Sequence, residues 1–374
     1  MTASDFKDLD TASRILLGPG PSMVSPRVLR AMATPLLGHL DPQFLEILNE
    51  VQRLVRAVFN TQNELTLVVS GTGTAGMEAA LCNFIEPGDR VLVASMGFFG
   101  ERLIEIAGRY GAQVDRLEQP WGQVFDPGKI EGTLRGKRYK LIALVHAETS
   151  TGAWQPGIAE IAAAAHRHGA LLVLDTVTSL GGIPVEVDAW QVDIAYSASQ
   201  KCLSAPSGLA PLTISPRARE ALHQRKTPVA NWYLDLTGLE KYWMAPHAYH
   251  HTAPISMFYA LREALRIALE EGLQARFARH QANAGLLWEG LEAMDLPPLI
   301  PLEFRLPTLT TPQLHASVDD AAARRRLLED YNIEIAAGFG PLKGKIWRIG
   351  LMGYSSRREN VVLLLEALQR ILKS

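Results

Sequence analysis

Five short runs in which nearly every residue is apolar, LTLVV (65–69), RVLVAS (90–95), KLIALVHA (140–147), ALLVLDT (170–176) and VDIAYSAS (192–199), alternate with stretches long enough to be helices, such as 101–110 and 158–168. A strand with one wet face alternates apolar and polar side chains, whereas a strand covered on both faces does not. The pattern therefore predicts an α/β fold: a mainly parallel sheet flanked by helices on both sides. The 374 residues, 47% of them apolar and 20% charged, leave room for two or three domains of about 150 residues each and a large core.

The pattern changes after about residue 215. A stretch rich in Pro, Trp, Tyr and His (226–256) leads into a helix over 256–272, with Leu261, Leu265 and Leu273 on helical spacing. The remainder reads as a smaller α+β unit: helix 274–295, strand LTTPQLH (309–315), helix 318–330, strand KIWRIGLMG (345–353) and helix 356–372. The expected organisation is an extended N-terminal arm over 1–21, a large domain over 22–270 and a small C-terminal domain over 271–374. The arm is inferred from Gly18-Pro19-Gly20-Pro21.

Several function classes are disfavoured. Net charge is −2 without a long run of one sign, which gives no footprint for nucleic acid or an anionic membrane. Cys82 and Cys202 are the only cysteines, so neither a disulfide framework nor zinc spacing is present. His250 and His251 are adjacent rather than spaced as helical metal ligands, and there is no G-x-S-x-G elbow. No apolar window reaches about 18 residues, and the polar, acidic start does not resemble a secretory signal, so a soluble cytoplasmic protein is expected.

The stretch ELTLVVSGTGTAGMEAAL (64–81) contains a formal G-x-G-x-x-G, Gly71 to Gly76. A dinucleotide site needs an acid at the end of the second strand to hold the ribose. Here that strand ends in Ser95-Met96-Gly97, and Asp89 stands at its wrong end. What the segment does predict is a strand, a glycine turn and a helix N-terminus. Their free N–H groups and positive dipole end, with the hydroxyls of Ser70, Thr72 and Thr74, form a cup for one phosphate.

Three further residues add chemistry. Lys201 follows a strand of small and apolar residues, a place where burial would lower its pKa and make it a nucleophile. Asp175 ends the run ALLVLDT, at the edge where parallel sheets bind ligands; the competing role is a helix N-cap. Arg348 stands inside the apolar run KIWRIGLMG and must find a partner, either a substrate carboxylate or an internal acid. A phosphate cup, an acid at a later strand end and a lysine after the next strand are what pyridoxal 5′-phosphate (PLP) requires. The acid keeps its pyridine nitrogen protonated and the lysine forms a Schiff base with its aldehyde.

With RILLGPGPS, LTLVVSGTGTAGMEAALCNFIEPGD, ETSTG, LLVLDTVTSLGGIPVEVD, DIAYSASQK, YHHTAP and WRIGLMG all in place, the sequence resembles the class V aminotransferases of PLP fold type I, within them the alanine–glyoxylate (serine–pyruvate) branch. The resemblance runs from about Arg14 to the last helix. It implies transamination between alanine or serine and glyoxylate, giving glycine and pyruvate or hydroxypyruvate. Ureidoglycine–glyoxylate transamination and a non-catalytic PLP-binding subunit are the alternatives. It implies that Lys201 binds the cofactor aldehyde, that Asp175 pairs with the pyridinium nitrogen and that Val177 lies against the ring. Thr72, Gly73, Thr74 and Gln200 would hold the phosphate, with Tyr249 and Thr252 reaching the phosphate of a neighbouring subunit in an obligate homodimer. Thr149 would sit near the cofactor hydroxyl, and Arg348 would bind the substrate carboxylate with Gly20 close by. Two positions depart from the mammalian pattern: Thr74 replaces His, and Phe99 replaces a Trp that stacks on the cofactor. Phe99 can still stack but lacks an N–H donor. With no second cation evident, small amino acids are expected over aspartate or glutamate.

Overall fold

All five apolar runs enter one seven-stranded sheet, and two further strands, one charged (QVDRLE) and one apolar but carrying a proline (LAPLTI), complete it. The computed structural model describes residues 7–373, so the first six residues of the expected arm and Ser374 lie outside the described residues. Along the chain the elements are β1 (Ile15–Leu16), α1 (Pro26–Met32), α2 (Pro42–Phe59), β2 (Leu65–Ser70), α3 (Gly73–Cys82), β3 (Arg90–Ser95), α4 (Phe98–Arg109), β4 (Gln113–Glu118), α5 (Pro127–Leu134), β5 (Leu141–Val145), β6 (Ala147–Glu148), β7 (Ala153–Trp154), α6 (Ile158–Arg167), β8 (Leu171–Asp175), β9 (Ile194–Tyr196), β10 (Leu209–Ile214), α7 (Pro216–His223) and α8 (Leu236–Trp243). There follow α9 (Ile255–Glu271), α10 (Leu273–Glu292), β11 (Leu309–Thr310), α11 (Asp320–Tyr331), β12 (Ile333–Glu334), β13 (Ala336–Ala337), β14 (Trp347–Gly350) and α12 (Arg358–Lys373).

The large sheet has the order β2-β10-β9-β8-β5-β3-β4. Every pair is parallel except those of β10, which runs antiparallel to both β2 and β9. Strand β10 (LAPLTI) is fully buried yet carries Pro211, a residue that argues against a central strand because it has no N–H for the ladder. Its carbonyl still serves, accepting the Ser197 N–H at 2.8 Å. Strand β4 (QVDRLE) is the charged, partly exposed edge, where charges discourage pairing with another chain.

Several boundaries contract. The run 140–147 divides at His146 into β5 and β6, and the ladder of 192–199 covers only Ile194–Tyr196. In 309–315 only Leu309–Thr310 is strand, because Pro312 interrupts the ladder and leaves isolated bridges at Pro312 and Gln313. The arm is a correction to expectation. Ile15 and Leu16 form a true strand, parallel to β12, so the polypeptide upstream of the large sheet is tied to its C-terminal part.

Three buried apolar clusters result. One spans Val28 to Leu265 around the seven-stranded sheet, a second joins Leu17 to side chains from Leu287 to Ile371, and a small third packs Ala147, Ile183 and Cys202 against Leu306, Leu309 and Met352. Antiparallel β10 lies between β2 and β9, so β2, β9 and β8 point the same way. Their C-terminal ends, Ser70, Tyr196 and Asp175, lie along one edge of the sheet. That edge is where parallel sheets present ligands.

Candidate active site

At the end of β2 the chain makes its glycine turn and enters α3. The cap residue Thr72 is extended (φ −74°, ψ 176°) and makes no side-chain capping bond, which leaves the first N–H groups of α3 without a side-chain acceptor. A Cβ at Gly73 would lie 2.8 Å from the Ala198 Cβ and 3.4 Å from Val177 Cγ2, so only glycine fits there. Of the three hydroxyls expected to donate, Thr72 and Thr74 are exposed at the turn. Ser70 is buried and engaged by His251 Nε2 at 2.7 Å, the inner member of a pair joined by a 2.9 Å His250 Nδ1···His251 Nδ1 contact. Trp232 stacks on His250 at 4.6 Å. The adjacent histidines are therefore a buried strut behind the glycine turn.

Asp175 is 2% exposed and no helix follows it, which removes the capping role. One carboxylate oxygen accepts the Val177 N–H and the other the Tyr196 hydroxyl, both at 2.8 Å. Burial pushes its pKa up to about 6 against those two donors, with Glu148 raising it and Lys201 lowering it. Tyr196 was not anticipated: in DIAYSAS it reads as one more strand aromatic, and only the pairing of β9 with β8 sets its hydroxyl against Asp175.

Lys201 is buried, and burial holds its pKa down at about 8. Its Nζ donates to the Pro19 carbonyl of the arm. A Cβ on Gly20, whose φ is +101°, would lie 2.7 Å from Lys201 Cδ, so the arm passes directly over the lysine where a side chain has neither conformation nor room. Ser22 fastens the same crossing, bonding the Gln200 and Lys201 carbonyls at 2.9 and 2.8 Å.

Arg348 is 4% exposed and its Nε donates to the Ala337 carbonyl at 2.8 Å. Its Cζ lies 3.6 Å from the Phe339 ring centroid. Among the described residues it forms no ion pair, so the internal salt bridge is not its role. Burial lowers its pKa to about 10, and the attraction of Glu148 opposes this. Glu148, within the ETSTG stretch but not singled out, is fully buried. It accepts from Ser150 Oγ at 2.6 Å and from the Phe99 and Gly100 N–H groups at 3.3 and 3.4 Å, occupying the N-terminus of α4. Burial raises its pKa.

Thr149 is buried and shares a 2.5 Å hydrogen bond with Thr178. Phe99 is half-buried beside Phe98, which packs on Phe339 with centroids 5.1 Å apart. Gln200 carries the one buried side-chain polar atom without a partner among the described residues, its Oε1. The oxygen and nitrogen of such an amide are interchangeable by a flip, so the orphan is equally an NH₂ waiting for an acceptor. Tyr249, 62% exposed, and Thr252 are not brought into this site within the chain. No group of His, Cys, Asp or Glu suited to a metal occurs among the described residues. Cys82 and Cys202 are buried thiols whose pKa burial raises to about 12 and about 11.

The family model for aminotransferase class V matches residues 15–359. The chain belongs to the class-V aminotransferases. It is 42% identical to the (S)-ureidoglycine–glyoxylate transaminase of Bacillus subtilis over 387 residues, covering 99% of this chain and 93% of that protein. It is 39% identical to the alanine–glyoxylate aminotransferase of Mus musculus, covering 98% and 89%. The crystal structure of an alanine–glyoxylate aminotransferase from Nostoc sp. superposes with a TM-score of 0.96 at 52% identity, covering 98% of this chain and 97% of the other. The fold is thus PLP fold type I, the chain is an aminotransferase, and its cofactor is PLP.

The residues fit that cofactor on their own chemistry. An uncapped helix end behind a glycine that admits no side chain suits a phosphate. A buried carboxylate suits a pyridinium, and a buried amine with a lowered pKa suits an aldehyde.

Proposed function

We propose that this class-V aminotransferase moves an amino group from a small amino acid, alanine or serine, to glyoxylate, releasing pyruvate or hydroxypyruvate and forming glycine. The observation that carries the reading is Arg348: a buried guanidinium without an ion pair among the described residues, within electrostatic reach of Lys201. Its unspent N–H groups suit the one carboxylate that alanine, serine and glyoxylate share. Glyoxylate also stands in the names of both relatives, at 42% and 39% identity.

Bound PLP supplies an electron sink for the charge left when the α-proton departs. In this reading the protein does the rest. Lys201 would hold the aldehyde, and its amine, whose pKa burial lowers to about 8, would take the α-proton and return it as general base and then acid. Asp175, steadied by Val177 and Tyr196, would keep the pyridine nitrogen protonated, and Val177 and Phe99 would supply the apolar surface beside the cofactor. Thr72, Gly73, Thr74 and Gln200 would hold the phosphate, and Thr149 would serve the cofactor hydroxyl. Arg348 grips the carboxylate beside the arm at Gly20. A division of the chain near residue 270 is supported by the two larger clusters, between which a small third one packs Cys202 and Ile183 against Leu306 and Met352.

A cytoplasmic homodimer with shared sites is part of the proposal. Its support is a set of exposed apolar side chains, Leu36, Leu40, Trp232 and Tyr249, exposed by 69, 42, 68 and 62%, of which Trp232 stacks on His250 and Tyr249 packs against His39. Among the described residues no helix is long and apolar enough to cross a membrane.

The test is a donor matrix with glyoxylate as acceptor, run on the parent, Lys201→Ala and Arg348→Gln. Alanine or serine should turn over in the parent, and Lys201→Ala should lose both turnover and the visible absorbance of lysine-bound PLP. Arg348→Gln should lower kcat/KM about tenfold to hundredfold, the weight of a hydrogen bond between charged groups. Turnover of glutamate alone would refute the substrate class. The 42% relative supports a second reading, ureidoglycine as donor, and the same matrix separates the two.

A further inference from the structure

Near the glycine turn lies a cation that the sequence gives no reason to single out. Arg102, half-buried on the second turn of α4, donates from Nη1 to Thr74 Oγ1 at 3.2 Å. Its Cζ sits 5.1 Å from the Phe98 ring centroid and 4.9 Å from that of Phe99, so two aromatic faces hold the guanidinium in place. An arginine on a helix usually finds an acid three or four residues away. Here Glu105 is paired with Arg109 at 2.5 Å, and Glu101 accepts from Trp121 Nε1 at 3.1 Å. Among the described residues Arg102 has no ion pair. It also acts electrostatically on Tyr196, whose hydroxyl donates to Asp175.

The positive ends of two helices meet there. That of α4 is already occupied by the buried Glu148 carboxylate. That of α3 has no side-chain cap. A cation near a helix N-terminus is unfavourable by itself. An unpaired guanidinium beside an uncapped helix end is therefore a combination that only an anion relieves. We propose that Arg102 is a binding residue for the cofactor phosphate, delivering charge to the α3 cup directly and through the Thr74 hydroxyl. By accepting from Arg102, that hydroxyl keeps its own proton free to donate. The aromatic row Phe98–Phe339 separates Arg102 from Arg348, which lies against Phe339, so the two cations serve different anions.

The inference rests on the phosphate lying at α3, and the experiment separates the two claims. Apoprotein is titrated with PLP and with pyridoxal, which has no phosphate, at several KCl concentrations, following visible absorbance and protein fluorescence. In the parent, PLP must bind more tightly than pyridoxal. Arg102→Gln should weaken PLP about tenfold to hundredfold, flatten its salt dependence and leave pyridoxal unchanged, with Arg102→Lys intermediate. If PLP binds Arg102→Gln as tightly as the parent, or if PLP and pyridoxal weaken equally, the role is refuted. A loss confined to turnover of aspartate or glutamate would also refute it, by making Arg102 a substrate cation. If the parent itself does not distinguish PLP from pyridoxal, the α3 cup fails and this inference fails with it.

Discussion

Raising the pH on the apoprotein in the presence of PLP should expose the state of one amine. Burial holds the Lys201 pKa at about 8 instead of 10.5, with Arg348 pressing it further down and Asp175 and Glu148 opposing. Only the neutral amine attacks an aldehyde. At pH 7 a pKa of about 8 leaves roughly one amine in ten neutral, against roughly one in three thousand at 10.5, a gain of about 300-fold. The first-order rate of appearance of visible absorbance should climb about tenfold per pH unit below pH 7, bend near pH 8 and level above it. Arg348→Gln removes a neighbouring cation and should move the bend to higher pH. A rate that keeps climbing to pH 10 in the parent would show that the amine is not desolvated and would refute the reasoning.

Two further outcomes follow from contacts around the site. Tyr196→Phe removes one of the two donors that hold the Asp175 pKa down. The carboxylate then ionises at higher pH, so the acid limb of kcat against pH should shift upward and kcat should fall about tenfold; an unmoved limb would show that the hydroxyl has no hold on the acid. At Gly350 an added Cβ would overlap the Gly18 carbonyl of the arm, so Gly350→Ala should cost about 1–3 kcal/mol in urea unfolding and slow turnover by displacing Pro19 and Gly20 from Lys201. Parent-like stability and rate together would show that the arm does not need that close approach.

Much of the large sheet is legible in the chain because a doubly covered strand must be apolar throughout, and the runs at β2, β3, β5, β8 and β9 are. Strands β4 and β10 are hidden for opposite reasons. At the edge, β4 keeps its charges in solvent, while β10 carries a proline that local rules exclude from a sheet interior. The arm is legible as Gly-Pro repeats but not as a strand, since its pairing partner β12 lies more than three hundred residues away.

The candidate site divides the same way. The residue types at Lys201, Asp175 and Arg348 are costly to bury without purpose, so the sequence alone marks them, and their order along strand and turn already implies the cofactor. Tyr196, Glu148 and Arg102 carry no such mark. A tyrosine in a strand, a glutamate before a turn and an arginine on a helix are ordinary until folding supplies their neighbours. The sequence by itself determined the α/β class and the chemistry, because apolar periodicity and buried charge are local properties. The tertiary structure alone decided how that chemistry is tuned: the pKa of Asp175 and Lys201 and the pairing of each charge depend on distances between segments far apart in the chain, which no local pattern encodes.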